Sequence, residues 1–312
     1  MMKDLMITTA RSDYNMKFWD AIKLEAGAEE YVKGILEDER TMYLPSKSED
    51  MLQKLKAKYG VFRNLANCMR MYDGFSEIMA FDSEDYSQFV EESDPIPGSD
   101  LADEFTKIPV NAYKMASLMK VSLEFVNDSA FDIESHIIKR MARTFARTED
   151  KAFINGTGVG EPTGLLHDSQ GAETADTVNS LSYDDCITLF FSVKPEYRKN
   201  AVWMMNDDTA LAIRKLKDDA GNYLWNQGND SILGKPVVIC NEMPDAQSGK
   251  KPILFGDLSY YWVIDRKPAS VKTLRELFAT KGQVGYIVQE RLDAKLVRSE
   301  AVKVLAISSN QG

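Results

Sequence analysis

The clearest amphipathic pattern in the chain covers residues 133–154, where apolar side chains recur every three or four positions. One stripe consists of Ile133, Ile137, Met141, Phe145 and Ala152. Ser129 together with Asp132, or Asp132 alone, can cap this helix at its N-terminus, and Asn155-Gly156 is typical of a helix end. The pattern therefore predicts one long helix over 133–154, about 33 Å in length at ~1.5 Å per residue.

Ahead of this helix the pattern changes several times. Residues 1–15 are polar without clear periodicity, and we expect them to be irregular. Helical periodicity runs through 16–36, and a second helix is predicted over 48–60. Short apolar or alternating runs at 78–81 and 114–126 predict strands.

The stretch 71–106 carries eleven carboxylates and no basic side chain. The carboxylates are Asp73, Glu77, Asp82, Glu84, Asp85, Glu91, Glu92, Asp94, Asp100, Asp103 and Glu104. The whole chain carries −10, so the rest of it sums to +1. Pro95, Pro97 and Gly98 mark a turn, and they predict that 75–110 runs out and back as a long two-stranded loop.

Apolar residues are spread through the same acidic stretch. They include Phe75, Ile78, Met79, Phe81, Tyr86, Phe89, Val90, Ile96, Leu101 and Phe105. A disordered acidic tail would hold fewer aromatic residues, and an isolated hairpin is only marginally stable in water. The combination predicts an acidic arm that lies on another surface, with a solvated loop of a monomer as the alternative.

Beyond the long helix, residues 156–180 form a connection rich in Gly, Thr and Asp. Helical patterns then alternate with buried strands at 201–205, 232–239 and 253–257, which predicts a second α/β unit. Strand signals dominate 260–307, and we expect this part to return to the first unit.

Composition narrows the class of protein. A pI near 4.9 argues against a surface built to bind nucleic acid tightly. Cys68, Cys186 and Cys240 show no C-x-x-C spacing and indicate reduced thiols, and two histidines, His136 and His167, cannot build a histidine-rich metal site. Without a long apolar run or a secretory signal, we expect a soluble protein made and kept inside a cell, or assembled there.

Candidate catalytic features are weak. Gly156–Gly160 follows a helix, whereas phosphate-binding loops precede a helix N-terminus, so we interpret it as a cap and turn. Glu290, Arg291 and Asp293 are expected to form ion pairs at a strand edge, with a catalytic carboxylate pair as the alternative. Glu149 and Asp150 lie near the C-terminus of the predicted helix, where the helix dipole disfavours carboxylates. They indicate either a contact with a basic partner or an energetic cost that the helix tolerates. We therefore expect no catalytic, cofactor-binding or metal-binding residues.

The order of these features carries a family resemblance. VSLEFVNDSAFDIESHIIKRMARTFARTEDKAFINGTGVGEPTGLL resembles the signature of tailed-bacteriophage major capsid proteins with the Hong Kong-type phage capsid fold. The signature positions are Glu124, Asp128-Ser129, 133–154, Glu149-Asp150, Asn155-Gly156, Pro162 and Gly164. Similar downstream positions are 200–206, 221–224, 232–237, 243–244, 255–261, 265–266 and 291–295. The resemblance covers roughly 105–307.

The resemblance implies an α+β fold with an N-terminal arm, an extended loop, a peripheral domain with a long spine helix, and an axial α/β domain. The resemblance implies that residues 1–45 form the arm and residues 75–106 the extended acidic loop. The peripheral domain would comprise 46–74 and 107–180, with spine helix 133–154, and the chain would return to it over 263–300. The axial domain would comprise 181–262, with a C-terminal strand over 301–312. In this family the extended loop lies across a neighbouring subunit, which would explain the acidic stretch.

The implied function is structural, not enzymatic. Such a protein self-assembles into the icosahedral head shell of a tailed phage or prophage and encloses double-stranded DNA. The implied partners are copies of itself in pentamers and hexamers, scaffolding, portal and head-decoration proteins, and non-specific DNA on the inner face, with no membrane. The location would be the virion, after assembly in the bacterial host cytoplasm. An encapsulin-type nanocompartment shell and a soluble α/β enzyme are the alternatives.

Two departures from the family pattern qualify this expectation. Some relatives join subunits covalently through a lysine of the extended loop, and 71–106 contains no lysine, so covalent welding is not expected. Only residues 1–15 precede the first predicted helix. A scaffolding extension is therefore expected to be absent, already removed or supplied by another protein.

We expect the acidic loop to bind a basic strip on the adjacent subunit. On the loop the contact residues would be Phe81, Glu84, Asp85, Phe89, Glu91, Glu92 and Ile96. On the basic strip they would be Lys54, Lys56, Lys58, Arg140, Arg143 and Arg147. Exposed ion pairs give only ~0–1 kcal/mol each, so charge would set the register while the apolar loop residues supply adhesion.

Overall fold

The computed structural model describes residues 2–36, 41–71, 77–81, 105–128, 132–225 and 230–309. Its strands are β1 (Met42–Tyr43), β2 (Asn67–Arg70), β3 (Glu77–Phe81), β4 (Phe105–Pro109), β5 (Tyr113–Ser122), β6 (Glu173–Val178), β7 (Val202–Met205), β8 (Ser231–Ile232), β9 (Lys235–Ile239), β10 (Ile253–Gly256), β11 (Tyr261–Leu274), β12 (Gln283–Leu296) and β13 (Val302–Ile307). Its α-helices are α1 (Met2–Thr9), α2 (Ser12–Ile22), α3 (Ala28–Leu36), α4 (Ser46–Tyr59), α5 (Leu123–Asn127), α6 (Ile133–Asn155), α7 (Tyr183–Ser192), α8 (Pro195–Arg198) and α9 (Asp207–Arg214). None of these helices combines the length and the apolar character needed to cross a bilayer.

Residues 2–9 and 12–15 are helical, so the prediction of an irregular start is wrong. Tyr14, Phe18 and Ile22 are spaced four residues apart on α2, and all three are buried. The amphipathic pattern therefore begins at Tyr14, before the predicted start at residue 16. The Tyr14 hydroxyl donates to the carbonyl oxygen of Tyr43 at 2.6 Å, which ties α2 to the short strand β1.

The first sheet has the order β1-β11-β12-β5, with β2 pairing in parallel beside β11. Alternate residues of its long strands face an apolar core shared with α2 and α6. Buried members of that face are Met119, Val121, Val271, Val284, Tyr286 and Val288. The opposite face carries mainly polar side chains. One covered face and one polar face are typical of an antiparallel sheet.

The helix predicted over 133–154 is confirmed as α6, Ile133–Asn155. The Asp132 carboxylate accepts a hydrogen bond from the Ser135 amide at 3.0 Å and caps the helix. Its apolar stripe is buried through Ile137, Met141 and Phe145. Helix α4 packs alongside α6, so the two helices cover the inner face of the first sheet together.

The second sheet has the order β6-β13-β10-β7-β9-β8. Trp203 lies at its centre, with its ring centroid 4.2 Å from that of Phe255 and its indole N–H donating to the Ile232 carbonyl at 2.9 Å. Helices α7 and α9 accompany these strands, in agreement with the predicted alternation. Strand β6 lies ahead of residue 181, and it joins this sheet by pairing in parallel with β13.

The base of the predicted out-and-back loop is an antiparallel hairpin of β3 and β4, paired from Glu77 opposite Pro109 to Phe81 opposite Phe105. Ile78 of this hairpin packs with Val110 and with Ile264 of β11. The hairpin base is therefore fixed to the first sheet by a small apolar cluster. The acidic tip of the loop lies outside the described residues.

Candidate assembly surfaces and a buried charge layer

The exposed cations predicted on two helices share one surface. Lys54 and Lys58 are exposed on α4, and three arginines are exposed on α6. Because α4 packs against α6, the two sets lie side by side, and the Arg143 guanidinium stacks 5.0 Å from the Tyr59 ring centroid. A groove of about 570 Å³ runs along α6, lined by His136, Lys139, Arg140, Arg143, Thr144, Arg147 and Thr148. We call the exposed residues Lys54, Lys58, Arg140, Arg143 and Arg147 the helix strip.

Lys56 does not belong to this surface, which corrects its assignment to the basic strip. Its side chain is fully buried. Lys54 and Lys58 are four residues apart and share one helix face, whereas Lys56 is two residues from each and points to the opposite face. Its ammonium nitrogen lies 2.6 Å from Glu149 Oε1 and 2.7 Å from Glu290 Oε2.

On the acidic side, the structure describes only the start of the predicted contact. Phe81 is the last residue of β3. The other predicted residues of the acidic loop lie outside the described residues; they are Glu84, Asp85, Phe89, Glu91, Glu92 and Ile96. Their contact with a basic surface therefore stays a prediction.

Lys56 is part of a set of buried charged side chains that sequence analysis did not identify. We call Glu49, Lys56, Arg63, Glu149, Asp265 and Glu290 the buried charge layer. Arg63 bridges two carboxylates, donating from Nε to Glu149 Oε2 at 2.7 Å and from Nη2 to Asp265 Oδ1 at 2.8 Å. Glu49 accepts from the Ala269 amide at 3.1 Å. The layer thus joins α4, α6, β11 and β12.

The layer contains four carboxylates and two cations. Burial raises the pKa of Glu290 to about 7 and also raises the pKa of Glu49. Burial opposes ionisation of Glu149 and Asp265 as well, but the charges of Arg63 and Lys56 outweigh it and lower both pKa values. The layer therefore gains negative charge as the pH rises through neutrality.

The buried charge layer separates two apolar cores. Along α6, Phe145 belongs to the core beneath the first sheet and Phe153 to the core of the second sheet, with Glu149 between them. Along β12, Val288 and Leu292 are divided in the same way by Glu290. A polar layer between two cores favours one alignment of the elements that cross it, since carboxylates from α6, β11 and β12 have to meet the same two cations.

The structure tests the predictions made for Glu290 with Asp293 and for Glu149. Glu290 lies on the inner strand β12, so the prediction of a strand-edge ion pair is wrong. Asp293 points to the other face and accepts from the Asn111 amide at 2.7 Å, so it does not form a catalytic pair with Glu290. The partners of Glu149 are the internal cations Lys56 and Arg63.

Asp150, beside Glu149, serves a separate structural purpose. Its carboxylate accepts from the Val61 amide at 3.0 Å and from the Phe62 amide at 3.2 Å, at the short 3-10 turn that follows α4. Burial raises the pKa of Asp150 to about 6.

The glycine-rich stretch after α6 is a tight turn, in agreement with its interpretation as a cap. A Cβ placed on Gly156 would lie 2.2 Å from the Pro162 carbonyl oxygen, so the close approach of the two backbones requires glycine. Within the described ranges, no group of His, Cys, Asp and Glu is arranged to hold a metal ion.

Comparison with known proteins identifies the family. A sequence model of the phage capsid family matches residues 41–307. The solved capsid of a native GTA (gene transfer agent) particle is 27% identical with a TM-score of 0.66, covering 80% of this chain and 90% of that one. The capsid of an empty GTA particle is 28% identical with a TM-score of 0.62 and the same coverage.

More distant structures share the fold. The matching structure from Microbacterium phage Oxtober96 is 17% identical with a TM-score of 0.57, covering 80% of this chain and 91% of that one. A search of curated proteins finds no match. The long family match and the structural similarity agree with each other. The chain belongs to the phage capsid family, and it is a structural, non-enzymatic major capsid protein of a tailed-phage or gene-transfer-agent head shell.

Proposed function

We propose that this capsid protein assembles into pentamers and hexamers that close into an icosahedral shell around double-stranded DNA. The similarity to the GTA capsid, which spans most of both chains, carries the proposal. A closed shell needs heterologous contacts repeated by symmetry, and each stable interface has to bury about 1,000 Å² or more.

The proposed division of labour follows the implied domains. Residues 1–45 act as an arm that binds neighbours, and the unit around the second sheet packs near the symmetry axes. Exposed apolar side chains on that unit support the second role: Phe191 is 65% exposed and Leu211 is 50% exposed. Large apolar side chains at the surface are typical of protein interfaces when they cluster.

The acidic loop of one subunit lies, in this proposal, on a basic surface of its neighbour. The cations of the helix strip are the candidates that sequence analysis offers, and their exposure supports that role. Neutralisation of four loop residues tests the contact: Glu84→Gln, Asp85→Asn, Glu91→Gln and Glu92→Gln. We expect fewer assembled particles and a weaker dependence of assembly on salt, because screening then has less charge to act on. Unchanged assembly with unchanged salt sensitivity would contradict the contact.

Other partners follow from the same proposal. Packaged DNA contacts the inner face weakly and without sequence preference, since the chain carries −10 overall. Scaffolding, portal and head-decoration proteins would bind the assembled shell.

Size-exclusion chromatography and negative-stain electron microscopy of the purified chain test the central part of the proposal. We expect rings or closed shells. A stable monomer at concentrations that support assembly of related capsids would contradict it.

A further inference from the structure

The outer side of α6 carries positive charge, although the chain as a whole carries −10. From residue 136 to residue 155, every exposed side chain of α6 is a lysine, an arginine, a histidine, a threonine or an asparagine, and none is acidic or apolar. These side chains are His136, Lys139, Arg140, Arg143, Thr144, Arg147, Thr148, Lys151 and Asn155. The cations of the helix strip are therefore continued by further cations along α6.

Helix α4 widens this surface. Its exposed charged side chains are Lys47, Asp50, Lys54 and Lys58, and the Asp50 carboxylate lies 3.2 Å from the Arg70 guanidinium. Among the described residues, no ion pair joins a carboxylate to the cations of the helix strip. The two helices thus present a continuous positive surface that favours an anionic occupant.

The absence of exposed apolar groups indicates the chemistry of that occupant. No large apolar side chain of α4 or α6 is exposed, and the groove along α6 is lined only by cations, one histidine and two threonines. A protein segment with aromatic residues, such as the acidic loop, would have no apolar side chain here to pack against. A sugar–phosphate backbone requires none, because cations and hydroxyl groups bind its phosphate oxygens.

The spacing of the α6 cations also suits a phosphate backbone. Lys139 and Lys151 are twelve residues apart, which is about 18 Å along the helix at ~1.5 Å per residue. A DNA duplex lying along α6 carries a phosphate every ~3.4 Å on each strand, or about five over that length. Five cations occupy the same interval, and the three arginines among them can each donate two hydrogen bonds to one phosphate.

We propose that the helix strip, together with Lys139 and Lys151, binds the phosphate backbone of packaged double-stranded DNA. This inference rests on the proposed function and deepens it, because it names the surface that meets the DNA and turns α4 and α6 toward the shell interior. It assigns the helix strip to DNA instead of to the acidic loop. Binding is independent of base sequence and weakens steeply with salt, since the contacts are made to phosphates.

Matched removal of charge from two surfaces of the full-length, unassembled subunit tests the inference. Binding to a short fluorescent DNA duplex is measured by anisotropy between about 50 and 200 mM salt. The helix variant is Arg140→Gln, Arg143→Gln and Arg147→Gln. The control variant removes the same charge from exposed positions on the polar face of the first sheet, as Lys114→Gln, Lys267→Gln and Lys272→Gln.

We expect the helix variant to lower the affinity for the duplex about tenfold or more at the lowest salt. The slope of log affinity against log salt should fall by about 2–3, since each lost phosphate contact removes ~0.9. The control variant should stay within about threefold of the parent chain, with the same slope. Equal losses in both variants would overturn the inference, because binding would then follow net charge. A parent chain without measurable affinity at low salt would overturn it as well.

Assembly of the same variants, followed by chromatography and microscopy, separates this inference from the proposed function. Closed particles from the helix variant, together with weakened DNA binding, would support the inference. Loss of assembly with the DNA affinity of the parent chain would overturn it in favour of a protein occupant, and the shell function would stand. A parent chain that never assembles would contradict the proposed function, and the inference with it, even if the duplex binds.

Circular dichroism reports whether each variant folds. For a helix variant that does not fold, the pair Arg140→Gln and Arg147→Gln replaces it, because the stacking of Arg143 on Tyr59 is then kept. We expect this pair to lower the salt slope by about 2. An unchanged slope would overturn the inference.

Discussion

The buried charge layer and the polar face of the first sheet use charged residues in opposite ways. In the layer, Lys56 and Arg63 are within 2.6–2.8 Å of carboxylates from distant parts of the chain. On the polar face of the first sheet, Lys114 and Lys272 are exposed and have no carboxylate partner among the described residues. In the layer both cations meet carboxylates of their own subunit, whereas these lysines meet none among the described residues.

The difference matters because burial changes what a charge contributes. Removing one partner of a buried pair leaves the other desolvated and typically costs about 3–5 kcal/mol. An exposed pair contributes only ~0–1 kcal/mol, which is screened by salt. Mutations in the layer should therefore change the stability of the subunit, and mutations on the surfaces should change assembly.

The largest expected effect is the loss of the buried cation. Lys56→Met keeps the side-chain volume but leaves Glu149 and Glu290 without the ammonium group. We expect the free energy of unfolding to fall by about 3–5 kcal/mol, measured by urea denaturation of dissociated subunits. Lys54→Met on the exposed face of the same helix is the matched control and should change it by less than about 0.5 kcal/mol. Equal effects of the two substitutions would contradict the buried charge layer.

A second prediction concerns pH. Because the pKa of Glu290 is raised to about 7 in the folded subunit, the folded state holds a proton that the unfolded chain has already lost. The contribution of Glu290 to the stability of the folded state is present below the ordinary glutamate pKa and is lost as the pH rises through about 7. Glu290→Gln should therefore flatten the fall in unfolding free energy over this range. A parallel pH profile for parent and variant would show that Glu290 does not titrate there.

A smaller effect is expected at the turn after α4. Asp150→Asn keeps the shape but replaces a carboxylate that accepts from the Val61 and Phe62 amides. We expect a loss of about 1–2 kcal/mol in unfolding free energy, by the same urea titration. Arg147→Gln, three residues earlier on the exposed face of α6, serves as the control.

The smallest expected effect on stability comes from the polar face of the first sheet. Lys272→Gln should change the unfolding free energy by less than about 0.5 kcal/mol, because the side chain is exposed. We expect it instead to lower the salt sensitivity of assembly. A marked loss of subunit stability without any change in assembly would show that Lys272 has an internal role.

Local patterns predicted α6, the base of the hairpin and strands β7, β9 and β10 of the second sheet, because their signals lie within one short window. Strand β6 was missed, since the sequence analysis took 156–180 as a connection. The buried charge layer was missed because Arg63 and Asp265 are 202 residues apart in sequence, and only the tertiary fold brings them together. The burial of Lys56 was available from helical geometry, since residues two apart face opposite sides.

Electron cryo-microscopy of assembled particles tests the central claim most directly, by tracing residues 82–104 from one subunit to the surface they contact. We predict that this segment lies on a basic surface of an adjacent copy, as the proposed function requires. A segment folded back on its own subunit, without contact to a neighbouring copy, would contradict the account.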